Sequence, residues 1–295
     1  MPAPPVPPLD LKAEPYIDAH SHVWTPDIDK YPLAASFKKS DMQPASFTAE
    51  ELLAKCRPVG VGRVNLIQMS YYEFDNSYML DMIAKYPDRF VGTGIVDPLA
   101  PAPDRAMKAL KPKGVVAFRI TPGYAKQPPA SWLKPPGFDL MFDEAAKSGQ
   151  VISCLIDPSC FKEVDRMATI HPETPIVIDH FGRIGVDGEI RPAEVKALCD
   201  LAKHEKVTVK IGAYYALGKK KPPYHDLVPM IRELLMAYGS KRLMWESDCP
   251  FQVVDHTYAE SIDLIKQLDI LTDDQRADIL GKSAARVFFG AGKRA

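Results

Sequence analysis

The chain has 295 residues, enough for one large α/β domain or two small ones, and a hydrophobic content of 46% is ample for a well-buried core. A formal net charge of −1 gives no electrostatic case for nucleic acid or an anionic membrane surface as partner. The five cysteines (Cys56, Cys154, Cys160, Cys199, Cys249) form no Cys-x-x-Cys pair and are odd in number, so neither a disulfide framework nor a zinc knuckle is indicated. Reduced thiols in a cytoplasmic protein fit best, and no apolar stretch approaches transmembrane length. Residues 1–14 are proline-rich, lack a basic-then-apolar signal pattern and read as an extended lead-in.

From there β-branched runs alternate with helical patterns to the end of the chain. The expected strands are Tyr16–Ala19, Arg63–Gln68, Phe90–Val96, Val115–Ile120, Val151–Ile156, Pro175–Asp179, Val207–Ile211 and Arg242–Glu246. Most are continuously apolar, as parallel strands buried on both faces require. Thr48-Ala-Glu-Glu51 is a capping box opening a helix through Leu52, Leu53 and Cys56. Further helical patterns cover Tyr78–Lys85, Pro103–Leu110, Leu140–Lys147, Phe161–Ile170, Pro192–His204, Leu227–Tyr238, Tyr258–Leu268 and Thr272–Leu280. Eight βα units of this length predict a (β/α)8 TIM barrel in a single domain, residues 15–295. A doubly wound sheet is the alternative, but no glycine-rich phosphate fingerprint follows any strand. Lys219-Lys220-Lys221 reads as a solvated loop. Two long loops, Trp24–Phe47 and Thr121–Gly137, would overhang the catalytic end, where Trp24, Tyr31, Tyr124 and Trp132 could select a substrate.

Chemistry in such barrels sits at the carboxyl ends of the strands. Those ends supply His20 and His22, Gln68, Arg119, His180 with Arg183, Lys210, and Asp248. Residues two apart on a strand share a face, so the His20 and His22 rings aim at one point. Three imidazoles and a carboxylate can hold a divalent metal such as zinc or manganese, or serve as a proton-transfer cluster. Each member also has a structural reading: Asp248 as a turn residue before Pro250, His180 as a satisfied core histidine, and Arg119 and Lys210 as ion-paired charges or binders of an anionic substrate. His171 and His204 end helices, where a cation complements the dipole; His225 and His256 follow strands seven and eight, in loops where they are either solvated or turned toward the pocket.

Ile-Asp-Ala-His-Ser-His-Val-Trp (17–24), Ile-Asp-His-Phe-Gly-Arg (178–183) and Trp-Glu-Ser-Asp-Cys-Pro (245–250) resemble the amidohydrolase superfamily. The nearest branch is the amidohydrolase-related group that includes 2-pyrone-4,6-dicarboxylate hydrolase and sugar or muconate lactonases. Gln68, Asp75-Asn76, Tyr86-Pro-Asp-Arg-Phe90, Gly94-Ile-Val-Asp97 and Val207-Thr-Val-Lys-Ile-Gly212 match it too, so the likeness spans residues 15 to 290. It implies metal positions at His20, His22 and Asp248, with His180 as a further ligand or a catalytic group, and Asp248 as the residue that deprotonates water. Arg119 and Arg183 match arginines that hold substrate carboxylates, and a homodimer is the family's expectation.

The departures are informative. Strand five (Val-Ile-Ser-Cys-Leu-Ile-Asp-Pro, 151–158) has no histidine, and Arg119 stands where two-metal members carry a carboxylated lysine. One divalent metal rather than two is therefore expected, with no organic cofactor, and with three ligands it is either held, tightly or loosely, or absent. Glu246 replaces a residue that is usually small, either adding a ligand or buffering a charge. The resemblance therefore implies hydrolysis of a lactone or related ester on a carboxylate-bearing small molecule. The alternative is a metal-dependent, non-oxidative decarboxylase of the aminocarboxymuconate-semialdehyde type, which normally keeps the strand-five histidine; a catalytically silent barrel is the third reading.

Overall fold

The computed structural model describes residues 6–125, 128 and 131–290, so part of the Thr121–Gly137 loop, with the Tyr124 side chain, lies outside the described residues. Eight parallel strands follow in order: β1 (Tyr16–His22), β2 (Val61–Ile67), β3 (Phe90–Gly94), β4 (Val115–Ile120), β5 (Val151–Cys154), β6 (Ile176–Ile178), β7 (Val207–Gly212) and β8 (Leu243–Glu246). Each is followed by a helix: α1 (Ala49–Cys56), α2 (Ser77–Lys85), α3 (Pro103–Leu110), α4 (Gly137–Ser148), α5 (Phe161–Ile170), α6 (Pro192–Asp200), α7 (Val228–Tyr238) and α8 (Tyr258–Gln267). This is the expected (β/α)8 barrel. The Thr48 capping box is formed, with the Thr48 side chain accepting from the Glu51 N–H and Glu51 accepting from the Thr48 N–H. The terminal helical pattern at Thr272–Leu280 breaks after Ala277 into π-helical turns at Asp278–Lys282 and Ala285–Phe289.

The barrel interior is a packed core rather than a pore. Ile17, Ala19, Val91, Ala117, Val151, Val177 and Met244 fill it, and Ala284 and Phe288 from the carboxyl-terminal turns pack with them. The remaining core lies between strands and helices, as Leu52, Val64, Ile83, Phe90, Phe142 and Leu234 illustrate. The lead-in is tied down as well. Buried Glu14 accepts from Arg57 (2.7 Å) and Arg89 (2.6 Å), and Arg89 also donates to the Pro7 carbonyl (2.9 Å). No helix among the described residues is long and apolar enough to cross a membrane.

Two details at the β1 end place the site. The β1–β2 register runs Asp18↔Val64 and then Ser21↔Leu66, so three steps on β1 face two on β2. This bulge falls on Ala19 and His20, where an extra residue re-aims the side chains that follow. Closure against β8 comes just past its end: Asp248 N–H donates to the His20 carbonyl (2.9 Å) and His22 N–H to the Cys249 carbonyl (2.7 Å). Buried Asp18 staples this seam. Its carboxylate accepts from the Ser21 hydroxyl (2.7 Å), the Tyr258 hydroxyl (2.6 Å), and both the hydroxyl and the N–H of Ser247.

Candidate active site

The two first-strand rings meet as the spacing predicts, with His20 Nε2 3.2 Å from His22 Nε2. Asp248 Oδ1 completes a triangle at 3.5 Å and 3.4 Å from the same two nitrogens. Hydrogen-bond partners fix which ring atoms face inward. His22 Nδ1 lies 3.0 Å from the Ile67 carbonyl, which can only accept, so the neutral ring carries its proton on Nδ1 and turns a lone pair to the centre. Arg119, whose guanidinium keeps its proton, places Nη2 2.6 Å from His20 Nε2, so that atom is an acceptor too. Two ring lone pairs and a carboxylate oxygen thus converge, and Asp248 Oδ1 is buried without a hydrogen-bond donor.

That donor set fits a divalent metal. Ligand atoms on a tetrahedral zinc, at bonds of about 2.0–2.2 Å, lie about 3.3–3.6 Å apart, close to the triangle's three edges. A metal and the Arg119 guanidinium would draw on one lone pair, that of His20. His180 sits outside the triangle: its Nε2 is 3.9 Å from the other oxygen, Asp248 Oδ2. It is not part of the three-atom cluster, although its ring faces the same carboxylate.

Charge in this layer is dense and paired. Beneath His20, Asp179 takes Lys210 Nζ (2.9 Å), the Ser153 hydroxyl (2.9 Å) and Arg119 Nη2 (3.4 Å). Glu246 Oε1 accepts from His180 Nδ1 (2.6 Å), and its Oε2 lies 3.0 Å from His20 Nδ1. Burial alone would raise the Asp248 pKa, but the His180, His22 and His20 rings outweigh it and hold the carboxyl well below its usual range. Burial would lower His180; the Glu246 and Asp248 carboxylates raise it instead. For His22 burial wins, bringing its pKa down to about 4. The backbone is strained at the same places. His180 (φ 52°) and Asp248 (φ 56°) are left-handed non-glycine residues, a conformation that costs about 1–3 kcal/mol and persists where the surroundings enforce it.

Above this layer opens a cavity of about 350 Å³. His22, Arg119, His180, Arg183 and Asp248 line it, with apolar walls from Met69, Leu155, Leu217 and Phe251. Arg183 is partly exposed at the rim, 3.4 Å from Asp157. Three expected substrate binders are placed elsewhere. Gln68 is buried with its amide donating to the Asp75 (2.6 Å) and Glu73 carbonyls, so it pins the loop after β2. Lys210 is fully buried and spent on Asp179. Trp24 is fully buried, its indole N–H donating to the Pro44 carbonyl (2.8 Å), because the loop it begins folds down over the ring. Trp132 is likewise buried, and Tyr31 pairs with Asp81. His225 lines a separate groove on the outer wall, His256 stands edge-on to Tyr224, and His171 and His204 pair with aspartates of α4 and α5.

The structure adds Tyr215, whose hydroxyl donates to Asp248 Oδ2 (2.7 Å) from the cavity wall. Nothing in the sequence separates it from its neighbour Tyr214, which is buried and donates to the Ile211 carbonyl.

Comparison with known proteins agrees with this architecture. Residues 17–290 match the family model described as Amidohydrolase. A 4-sulfomuconolactone hydrolase of Rhizobium radiobacter is 27% identical over 79% of this chain and 75% of its own length. An L-fucono-1,5-lactonase of Burkholderia ambifaria is 28% identical, over 79% of this chain and 80% of that one. Among solved structures, a probable 2-pyrone-4,6-dicarboxylic acid hydrolase from Acinetobacter baumannii, with citric acid bound, superposes with a TM-score of 0.77 at 20% identity. That match covers 93% of this chain and 99% of the other, and shows the shared fold. On the family match over nearly its whole length, the chain belongs to the amidohydrolase family.

Proposed function

We propose that this protein hydrolyses the ring ester of a small, carboxylate-bearing lactone, with Asp248 as the general base. The observation that carries this reading is Asp248 itself: buried at the cavity floor, kept ionised, with Oδ1 free of any donor and Oδ2 held by Tyr215. Asp248 removes a proton from water, and the hydroxide adds to the lactone carbonyl carbon. His180, carrying the extra proton that its carboxylate neighbours favour, donates from Nε2 to the developing oxyanion. The ring C–O bond then breaks, and the departing oxygen takes the proton back from Asp248. Arg119 and Arg183 face the same cavity and suit a substrate carboxylate; Arg119 Nε is buried without a partner, a donor still unspent. The relatives named for muconolactone and sugar lactone hydrolysis support the bond class.

A single divalent ion, zinc or manganese, is the cofactor we assign to His20, His22 and Asp248; bound there it would polarise the carbonyl and acidify water. His180 would serve as the neighbouring acid rather than a ligand. The free cysteines, four of them buried, suit a reducing cytoplasm.

The test is proton release from a panel of sugar lactones, muconolactones and pyrone carboxylates, followed by Asp248→Asn on whichever is turned over. The variant should fold and lose about 10²–10⁴-fold in kcat. A folded Asp248→Asn enzyme working at the native rate would remove Asp248 from the mechanism. Carbon dioxide release from hydroxybenzoates, with no lactone opened, would favour the decarboxylase reading.

A further inference from the structure

Glu246, the last residue of β8, is fully buried and touches two rings of the site at once. Its Oε1 accepts from both the backbone N–H (3.1 Å) and the ring Nδ1 (2.6 Å) of His180, while Oε2 lies 3.0 Å from Nδ1 of His20. The two rings come from β1 and from the turn after β6, so one carboxylate braces side chains from different strands. His180 is held by its Nδ1 edge, and Oε2, which makes no hydrogen bond, lies against the Nδ1 edge of His20. That leaves Nε2 of His20 toward Asp248 Oδ1 and Nε2 of His180 toward Asp248 Oδ2.

The adjoining strand is shaped to admit this side chain. Gly212 is the β7 partner of Glu246, and a Cβ there would stand 2.2 Å from Glu246 Cγ and 2.2 Å from its carbonyl oxygen. A glycine at 212 is therefore a requirement of space. Proton placement follows the shorter contact: Arg119 at 2.6 Å takes His20 Nε2 as its acceptor, against 3.2 Å from the Lys210 ammonium to Nδ1, so the His20 proton sits on Nδ1, facing Glu246 Oε2 at 3.0 Å.

His20, His180 and Glu246 also lie close enough to share a cation. Oε1 is already spent on a backbone N–H and a ring N–H, however, and the Lys210 ammonium stands 3.2 Å from His20 Nδ1. The position behind the rings is taken.

We propose that Glu246 is a positioning residue: with Oε1 accepting from Nδ1 of His180 and Oε2 set against the Nδ1 edge of His20, it fixes both rings, so that His180 presents Nε2 to the reacting carbonyl and His20 turns Nε2 toward Arg119 and the metal position. This rests on the lactone-opening assignment for the role of the two rings, but the bracing can be read without substrate.

The experiment is long-range ¹H–¹⁵N NMR of the histidine rings, assigned with single-histidine variants, on wild-type protein and on Glu246→Gln. In the wild type, Nδ1 of both His20 and His180 should be protonated. In Glu246→Gln one acceptor becomes an amide donor, so at least one of these Nδ1 signals should become pyridine-like. On the substrate that is turned over, kcat should fall about 10–100-fold with KM nearly unchanged, and Glu246→Asp, which keeps the carboxylate, should recover part of the loss. An unprotonated Nδ1 on either ring of the wild type overturns the proposal, and this holds even where the Gln variant fails to fold. So does a folded Glu246→Gln protein with both Nδ1 signals and kcat intact. Failure of every lactone, with the Nδ1 protons present in wild type and one lost in the variant, would sink the reaction assignment and leave the bracing standing.

Discussion

Burial keeps His22 neutral, with its pKa near 4, while the surrounding rings keep Asp248 ionised, and the two shifts have opposite uses. For His22 the unfolded chain takes up its proton first as the pH drops, so this contribution to stability is lost between about pH 6.5 and pH 4. Chelator-treated wild-type protein should therefore lose more stability between pH 7 and pH 5 in urea titrations than His22→Gln, which has nothing to titrate there. Catalysis follows the other groups. Asp248 remains a base throughout the mildly acidic range, because its proton returns only below the ordinary carboxylate pKa. His180 is raised above its ordinary 6.5, so its proton is lost as the pH rises through that higher value. kcat/KM should be flat from about pH 5 to about pH 6.5 and fall on the alkaline side; a steep acid limb near pH 6 would contradict this. Tyr215→Phe removes one charge-assisted hydrogen bond from Asp248 Oδ2. It should lower kcat about tenfold, checked by steady-state kinetics with KM as the control.

At the scale of elements, the β1 bulge and the β8 seam decide where these residues stand. The alternation of apolar runs and helical patterns was enough to read the eight βα units, because buried parallel strands write themselves as continuous Val, Ile and Phe. The convergence of His20, His22, Asp248 and His180 was legible for the same reason: strand ends of a barrel share one face. Contacts made by loops were not. Trp24 and Gln68 sit at the mouth in sequence terms, but each turns into its own loop to satisfy an indole or amide N–H against a backbone carbonyl. Lys210 lies at a strand end yet one layer too deep, where Asp179 claims it. Tyr215 was invisible because only the fold of the turn after β7 separates it from Tyr214. The Asp18 staple is also a tertiary property, made of donors more than two hundred residues away at Ser247 and Tyr258. Asp18→Ala orphans these donors at the closing seam, and should cost more than about 3 kcal/mol in urea unfolding. Gly212→Ala should lower Tm by forcing β7 away from β8, an overpacking cost of about 1–3 kcal/mol.

For the whole molecule, the barrel divides labour between its ends. Ala284 and Phe288 pack into the interior core with no part in the site, while the opposite end holds the charged layer under the cavity. Metal and Arg119 compete there for His20, which makes metal content a property of the whole charge layer. Protein dialysed against zinc should retain one equivalent, and His22→Ala should retain less than a tenth of that by elemental analysis. Such a result bears on the cofactor; the bond that is broken needs a separate measurement. The most direct one is turnover of a carboxylated lactone in heavy-oxygen water, with the product examined by mass spectrometry. The account predicts one labelled oxygen in the newly formed carboxylate of a ring-opened acid, and loss of that product in Asp248→Asn. A product that has lost carbon dioxide, or a ring-opened acid without the label, would contradict it.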